Sequence, residues 1–209
     1  MFTVCPRCGE YSIEKIIDPT GPYAVCPDCG YAHRFLRLPL FIISGASGAG
    51  KSTLCLELVS LLRECVVLES DILWGVVPAT PDKNYHDYHN TWLHLCKNIA
   101  QSGRPVVLCG TIQPDQLESS PQRRYFSAIH YQALVSDDEI LAQRLRQRPD
   151  WREANSPEFI ERMQHFNRWL KEHAPHTQPP MTLYDTSDHS LAETTRATAQ
   201  WIRSHLAKR

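Results

Sequence analysis

The chain has 209 residues, of which 42% are hydrophobic and 22% charged, and its 22 Lys and Arg against 23 Asp and Glu leave a formal net charge of -1. That length suits one α/β domain with a minor appendage, not two full domains. Basic residues spread along a near-neutral chain give no general electrostatic case for nucleic-acid binding, and no apolar run is long enough to span a bilayer, so a soluble protein without a membrane partner is expected.

The opening residues Met-Phe-Thr-Val-Cys-Pro lack the basic start, apolar stretch and small-residue cleavage site of a secretory signal, which predicts a cytoplasmic address. The chain has eight cysteines, four in two Cys-x-x-Cys pairs and four in apolar segments, a usage that fits reduced thiols better than disulfides. The pairs are near-copies of one unit, Cys5-Pro-Arg-Cys8-Gly9 and Cys26-Pro-Asp-Cys29-Gly30, separated by 17 residues. Each unit turns tightly through its glycine so that Cys5, Cys8, Cys26 and Cys29 present four thiolates to one ion. This stretch resembles a zinc ribbon, which sets a domain boundary between residues 1–36 and 37–209. A redox pair would instead sit beside a helix in a thioredoxin-like unit. Four cysteine ligands leave no open coordination position, so the zinc is structural and supplies folding energy that so short a stretch cannot gain from its own core. Arg7, Lys15, Arg34 and Arg37 balance Glu10, Glu14, Asp18 and Asp28, which points to docking on the rest of the chain or a dimer contact, not to nucleic acid.

From Leu38 the texture changes. Residues 38–44 read as a short buried strand, glycine-rich sequence follows at once, and Leu54, Leu58, Leu61 and Leu62 mark a helix over 51–64. Residues 66–69 predict a second strand and 85–101 a helix stopped by Gly103. Residues 105–109, 128–135 and 181–185 predict three further strands. Helices are expected near 137–147, 157–173 and 190–206, with Ser156 and Pro157 as the cap and first turn of the second. Strands alternating with helices predict a parallel five-stranded sheet flanked by helices.

Gly45-Ala46-Ser47-Gly48-Ala49-Gly50-Lys51-Ser52-Thr53 matches the P-loop pattern and lies between a predicted strand and a predicted helix. Its glycines let backbone amides point at a phosphate, the helix N-terminus adds partial positive charge, Lys51 bridges the β- and γ-phosphates, and Ser52 ligates magnesium. ATP and Mg2+ are the expected ligands. Asp71, just beyond the second strand, is placed to take a proton from an attacking hydroxyl or to position the metal. Arg144, Arg146 and Arg148 precede Pro149-Asp-Trp-Arg152, a cluster at a helix end that suggests a lid closing over the triphosphate. Thr111, Gln113, Arg123 and Arg124 are candidate acceptor contacts. Trp74 with Tyr85-His-Asp-Tyr-His89 suits the stacking of a flat base or sugar.

Gly45 to Thr53, the acid after the second strand, and Arg144-Leu-Arg-Gln-Arg148-Pro together resemble the small-molecule and nucleotide kinase branch of P-loop proteins, which includes adenylate, shikimate and gluconate kinases, over residues 38–206. The resemblance implies Asp71 facing the acceptor hydroxyl, Arg144 or Arg148 against the nucleotide, and adenine near Asp185, Thr186 and Ser187. The third strand lacks the terminal acid with which motor-type ATPases activate water, which disfavours a hydrolytic motor. The expected activity is transfer of the γ-phosphoryl group of ATP to a small-molecule acceptor, a nucleoside or nucleotide. The alternatives are a polynucleotide-end kinase guided by the zinc ribbon and a non-enzymatic nucleotide-gated binding module.

Overall fold

A computed structural model describes residues 3–18, 20–81, 84–149 and 154–207. Three short antiparallel strands, β1 (Ile16–Ile17), β2 (Tyr23–Val25) and β3 (Ala32–Arg34), form a sheet of their own, with Ile16 opposite Val25 and Ala24 opposite His33. Strands this brief show no alternating pattern in sequence, which is why the cysteine spacing alone marked the unit.

The main body opens with β4 (Leu40–Gly45), every residue of which is buried, as befits a strand covered on both faces. It continues through α1 (Lys51–Leu61), β5 (Val66–Glu69), α2 (His86–Ile99), β6 (Val106–Cys109), α3 (Pro114–Glu118), β7 (Ile129–Val135), α4 (Asp138–Arg146), α5 (Pro157–His173), β8 (Met181–Asp185) and α6 (Leu191–Leu206). The sheet runs β5-β6-β4-β7-β8 and every pairing is parallel. With β4 central, the loop after it leaves the carboxyl edge between β6 and β7, where open α/β sheets place ligands.

One apolar layer packs Trp92, Leu93 and Cys96 of α2 and Leu170 of α5 on one face of the sheet. The other packs Leu54 and Leu58 of α1 and Ala199 and Ile202 of α6 on the opposite face. Caps fix where the helices start. Ser156 accepts from the Phe159 amide with Pro157 in the first turn, and Ser190 and Glu193 form a reciprocal capping box. Residues 114–125, for which the sequence predicts no strand or helix, hold α3 and a 3-10 turn at Pro121–Tyr125. At five residues each, these elements are too short for a periodic signal, although Gln113 and Gln116 cap α3 reciprocally. Among the described residues no helix is long and apolar enough to cross a membrane.

The small sheet and the body share a core. Ala24, Phe35 and Tyr125 bury one another, with Ile17 packed alongside, and the Tyr125 ring meets Phe35 edge-on at 5.6 Å. Gln101 of the body accepts from the Leu36 amide at 2.7 Å and donates to the Leu36 carbonyl at 3.0 Å.

Candidate functional site

Residues 45–50 form a tight loop with Gly45, Gly48 and Gly50 at φ of 148°, 92° and 96°, conformations that side chains rarely tolerate. A Cβ on Gly45 would lie 2.6 Å from the Leu134 carbonyl oxygen, so the loop can leave β4 beside β7 only as glycine. α1 begins directly after Gly50, which caps it with no side-chain hydrogen bond, so the orphan amides of its first turn lie next to the loop. Lys51 Nζ donates to the carbonyls of Gly45 at 2.7 Å and Ala46 at 3.0 Å.

Crowding of the Lys51 ammonium away from water lowers its pKa to about 8, against the pull of Asp71, with Arg148 lowering it further and Cys109 and Glu69 opposing. Lys51, Asp71, Arg148 and Glu69 therefore share one electrostatic neighbourhood. Ser52 Oγ donates to the Glu69 carboxylate. Glu69 was not singled out from sequence. It closes an apolar strand, and its one signal is the Glu69-Ser-Asp71 spacing, which puts two carboxylates at the same strand end.

Asp71 is exposed on a 3-10 turn, Ser70–Leu73, that leaves β5. Gly110 lets this turn approach β6, because a Cβ there would lie 2.1 Å from Ser70 Oγ. Thr111 Oγ1 donates to the Gly45 carbonyl at 3.1 Å, which sets Thr111 against the start of the loop. Arg144 Nη1 makes long contacts of 3.5 Å to the Gly48 carbonyl and to Thr186 Oγ1. α4 thus reaches both the loop and the turn after β8. The Asp185 carboxylate accepts from the amide and hydroxyl of Ser187 at 2.9 and 2.5 Å, and these bonds hold its pKa low although burial acts to raise it.

Other candidates stand apart from this group. Arg146 pairs with Glu139 at 3.0 Å on the exposed side of α4, and Arg152 lies outside the described residues. Arg123 Nε binds Glu118 at 2.6 Å and its Nη1 donates to the Phe126 carbonyl, while Glu118 also accepts from the Tyr131 hydroxyl at 2.9 Å. The Arg124 guanidinium lies 5.8 Å from the Tyr125 ring centre, at the seam with the small sheet. The aromatic group does assemble: Trp74 lies 6.1 Å from Tyr85 and 5.6 Å from Tyr88, whose hydroxyl donates to the Ser70 carbonyl at 2.5 Å.

At the N-terminal unit the sulfurs of Cys5, Cys8, Cys26 and Cys29 all lie within 4.8 Å of one another, with Cys5–Cys29 at 3.6 Å and Cys8–Cys26 at 3.9 Å. These are free thiols, far beyond a disulfide bond. Four metal–sulfur bonds of about 2.3 Å in a tetrahedron require sulfur–sulfur edges of about 3.8 Å, a spacing that the Cys5–Cys29 and Cys8–Cys26 pairs match.

The AAA domain family matches residues 42–163, more than half of the chain, including the loop, Glu69, Asp71 and α4. No curated protein sequence matches. Among solved structures, a sugar kinase from Janibacter sp. HTCC2649 is similar with a TM-score of 0.58 at 14% identity, covering 79% of this chain and 95% of that one. A gluconokinase from Sinorhizobium meliloti 1021 is similar with a TM-score of 0.51 at 18% identity, covering 78% and 90%. At these identities the likeness is one of fold, and the fold is that of P-loop kinases.

Proposed function

The chain belongs to the AAA domain family, and from that premise we propose that it is an ATP-dependent kinase that transfers the γ-phosphoryl group to a hydroxyl of a small-molecule acceptor, a nucleoside or nucleotide. Residues 37–209 are the kinase domain in this assignment, and residues 1–36 a zinc ribbon that holds shape and takes no part in the reaction. The observation that carries the proposal is the glycine loop with Lys51 held against its Gly45 and Ala46 carbonyls, Ser52 bonded to Glu69, and the charges of Asp71 and Arg148 acting on Lys51.

Each group has a role that its chemistry suits. Amides of residues 45–52 cradle the phosphates, and Lys51 neutralises the β- and γ-oxygens. Ser52 and Glu69 offer hard oxygen donors side by side, which fits magnesium. When bound, that ion supplies charge neutralisation at the phosphate oxygens. Asp71 accepts the proton of the acceptor hydroxyl as its oxygen bonds to the γ-phosphorus and the bond to the ADP oxygen breaks. Arg144, which reaches the Gly48 carbonyl, and Arg148, whose charge acts on Lys51, offset negative charge spreading over the transferring group. Thr186 and Asp185 border the nucleotide base. A cysteine, Cys109, ends β6 where a hydrolytic motor would present a carboxylate, which favours transfer to an acceptor over transfer to water.

The test is ADP release from ATP and magnesium across a panel of hydroxyl acceptors. Acceptor-dependent turnover is expected, with Lys51→Ala lowering kcat/KM at least about 100-fold and Asp71→Asn lowering kcat by a similar factor while the KM for ATP stays within about twofold. Tight ATP binding with no acceptor-stimulated turnover anywhere in the panel would assign a nucleotide-gated binding module instead.

A further inference from the structure

The face of the small sheet that meets the body carries charge. Ile17 lies opposite Ala24 and Ala24 opposite His33, so these three side chains share one face. Lys15 and Phe35, two residues from Ile17 and His33, are buried at 1% and 3% exposure, whereas Ile16 is 58% exposed. Lys15 therefore runs into the seam with the body and not out to water. Across the seam stands Tyr125. Burial raises its pKa, while the Arg124 guanidinium and the Lys15 backbone, both acting on its hydroxyl, oppose that rise. Lys15 and Arg124 thus meet the tip of one ring from opposite sides of the seam.

The charge gathered here is positive. Lys97 is buried with Nζ 4.0 Å from the Tyr125 ring centre, and burial together with the Arg124 charge lowers its pKa to about 8, which leaves it mostly protonated at pH 7. Lys97 donates to Gln122, a neutral acceptor. Lys15 Nζ and the Nε and Nη2 of Arg124 are buried and have no hydrogen-bond partner among the described residues. Two carboxylates of the neighbouring segments are placed otherwise. Glu118 holds Arg123 and the Tyr131 hydroxyl, and Glu14, whose charge reaches Tyr125, is exposed. A guanidinium does not give up its proton, and burying it or an ammonium without an acceptor is far more costly than burying a neutral polar group. Buried donors of one sign match a tetrahedral oxyanion, which brings several acceptors and negative charge in one small group.

We propose that the seam between the N-terminal sheet and the body binds an oxyanion of the phosphate type, held by Lys15 from the sheet and Arg124 from the body beside the Tyr125 hydroxyl. The anion would tie the two parts together. None of these residues belongs to the glycine loop, so the proposal stands apart from the kinase assignment.

The experiment is hydrogen exchange on the full-length, zinc-loaded protein, started in phosphate-free buffer and titrated with inorganic phosphate or with glycerol 3-phosphate. The glycine loop also takes phosphate, so the readout is by region. Saturable slowing of exchange in residues 16–34 and 121–125 is expected, in addition to any slowing in residues 45–54. Tighter binding of inorganic phosphate would identify a free anion as the ligand, and tighter binding of glycerol 3-phosphate a phosphorylated metabolite. Lys15→Met and Arg124→Gln should each weaken the seam response at least tenfold and leave the loop response within twofold. Thermal melts separate lost binding from lost folding. Without phosphate, Lys15→Met removes an uncompensated buried charge and should melt no lower than wild type, while added phosphate should raise the wild-type Tm more than that of the variant. The proposal is overturned if phosphate slows exchange only in the loop, or if either variant responds at the seam as wild type does. It is equally overturned if Lys15→Met melts below wild type by the same amount with and without phosphate, because the ammonium would then serve packing or the cysteine cluster.

Discussion

Lys51 shows how much one residue's surroundings can decide. Its ammonium sits among the carbonyls of Gly45 and Ala46, and desolvation brings its pKa to about 8 despite the opposing pull of Asp71. Only the protonated amine neutralises phosphate, so ATP affinity should hold below pH 8 and fall as pH rises beyond it. One unit above the pKa about a tenth of the amine is protonated, which predicts up to about tenfold weaker binding at pH 9 than at pH 7. Part of the binding free energy then goes into reprotonation, and calorimetry at pH 9 in buffers of different ionisation enthalpy should register uptake of close to one proton. Lys51→Arg, whose guanidinium does not titrate in this range, should bind more weakly at pH 7 yet flatten the profile. Constant affinity across this range with no proton uptake would contradict the assignment. The phosphate loop was legible from the sequence because its function needs contiguous residues at set spacing. Glu69 was not, because its contact with Ser52 joins a strand end to a helix start across the loop, and spacing alone does not show which of two neighbouring carboxylates turns inward. Arg123 and Arg124 carry the same lesson in the opposite sense, since their chemistry could be read but their direction depends on Glu118 of a five-residue helix and on Tyr125.

Among the elements, the N-terminal sheet is the one least able to stand alone. Its strands have two, three and three residues, and the apolar cluster it contributes to takes its largest side chain, Tyr125, from the body. Hydrogen bonds and burial on that scale do not offset the chain entropy of ordering some thirty residues, at about 1–2 kcal/mol per residue for the backbone. A metal held by the four cysteines would supply the difference. Purified protein should carry one zinc per chain by mass spectrometry under native conditions. Chelation, or Cys26→Ser, should remove hydrogen-exchange protection from residues 16–34 while the amides of β4 and β6 remain protected. Full protection of residues 16–34 after verified zinc loss would sink this account. The cysteine spacing foretold the cluster, whereas the strands between the pairs were invisible because alternation needs more residues than they have. Elements of the body were easier to foresee, since β4 and β6 are continuous apolar runs and α5 and α6 announce themselves with caps at Ser156 and Ser190.

At the scale of the whole molecule, the small sheet and the kinase fold meet through Tyr125, a contact through which the stability of each should depend on the other. The ring is 2% exposed, meets Phe35 on one side, and has Lys97 Nζ 4.0 Å from its centre. The body supplies this ring from a 3-10 turn, Pro121–Tyr125, that follows α3 in the chain. Truncating a buried aromatic leaves a cavity and costs about 3–5 kcal/mol when neighbours cannot collapse into it. For a chain of this length that corresponds to a fall in Tm of roughly 6–20 °C. Metal loss should unseat Ala24 and Phe35 from the same ring, so the two perturbations remove overlapping interactions and their effects should not add. Tyr125→Ala is therefore expected to lower the Tm of the zinc-loaded protein, zinc loss to lower the wild-type Tm, and zinc loss to produce a smaller drop in Tyr125→Ala than in wild type. Strict additivity would mean that the ribbon and the kinase fold are stabilised independently. The shared ring predicts that the outcome of metal binding is felt in the body, with the turn at Pro121–Tyr125 as the first segment to respond.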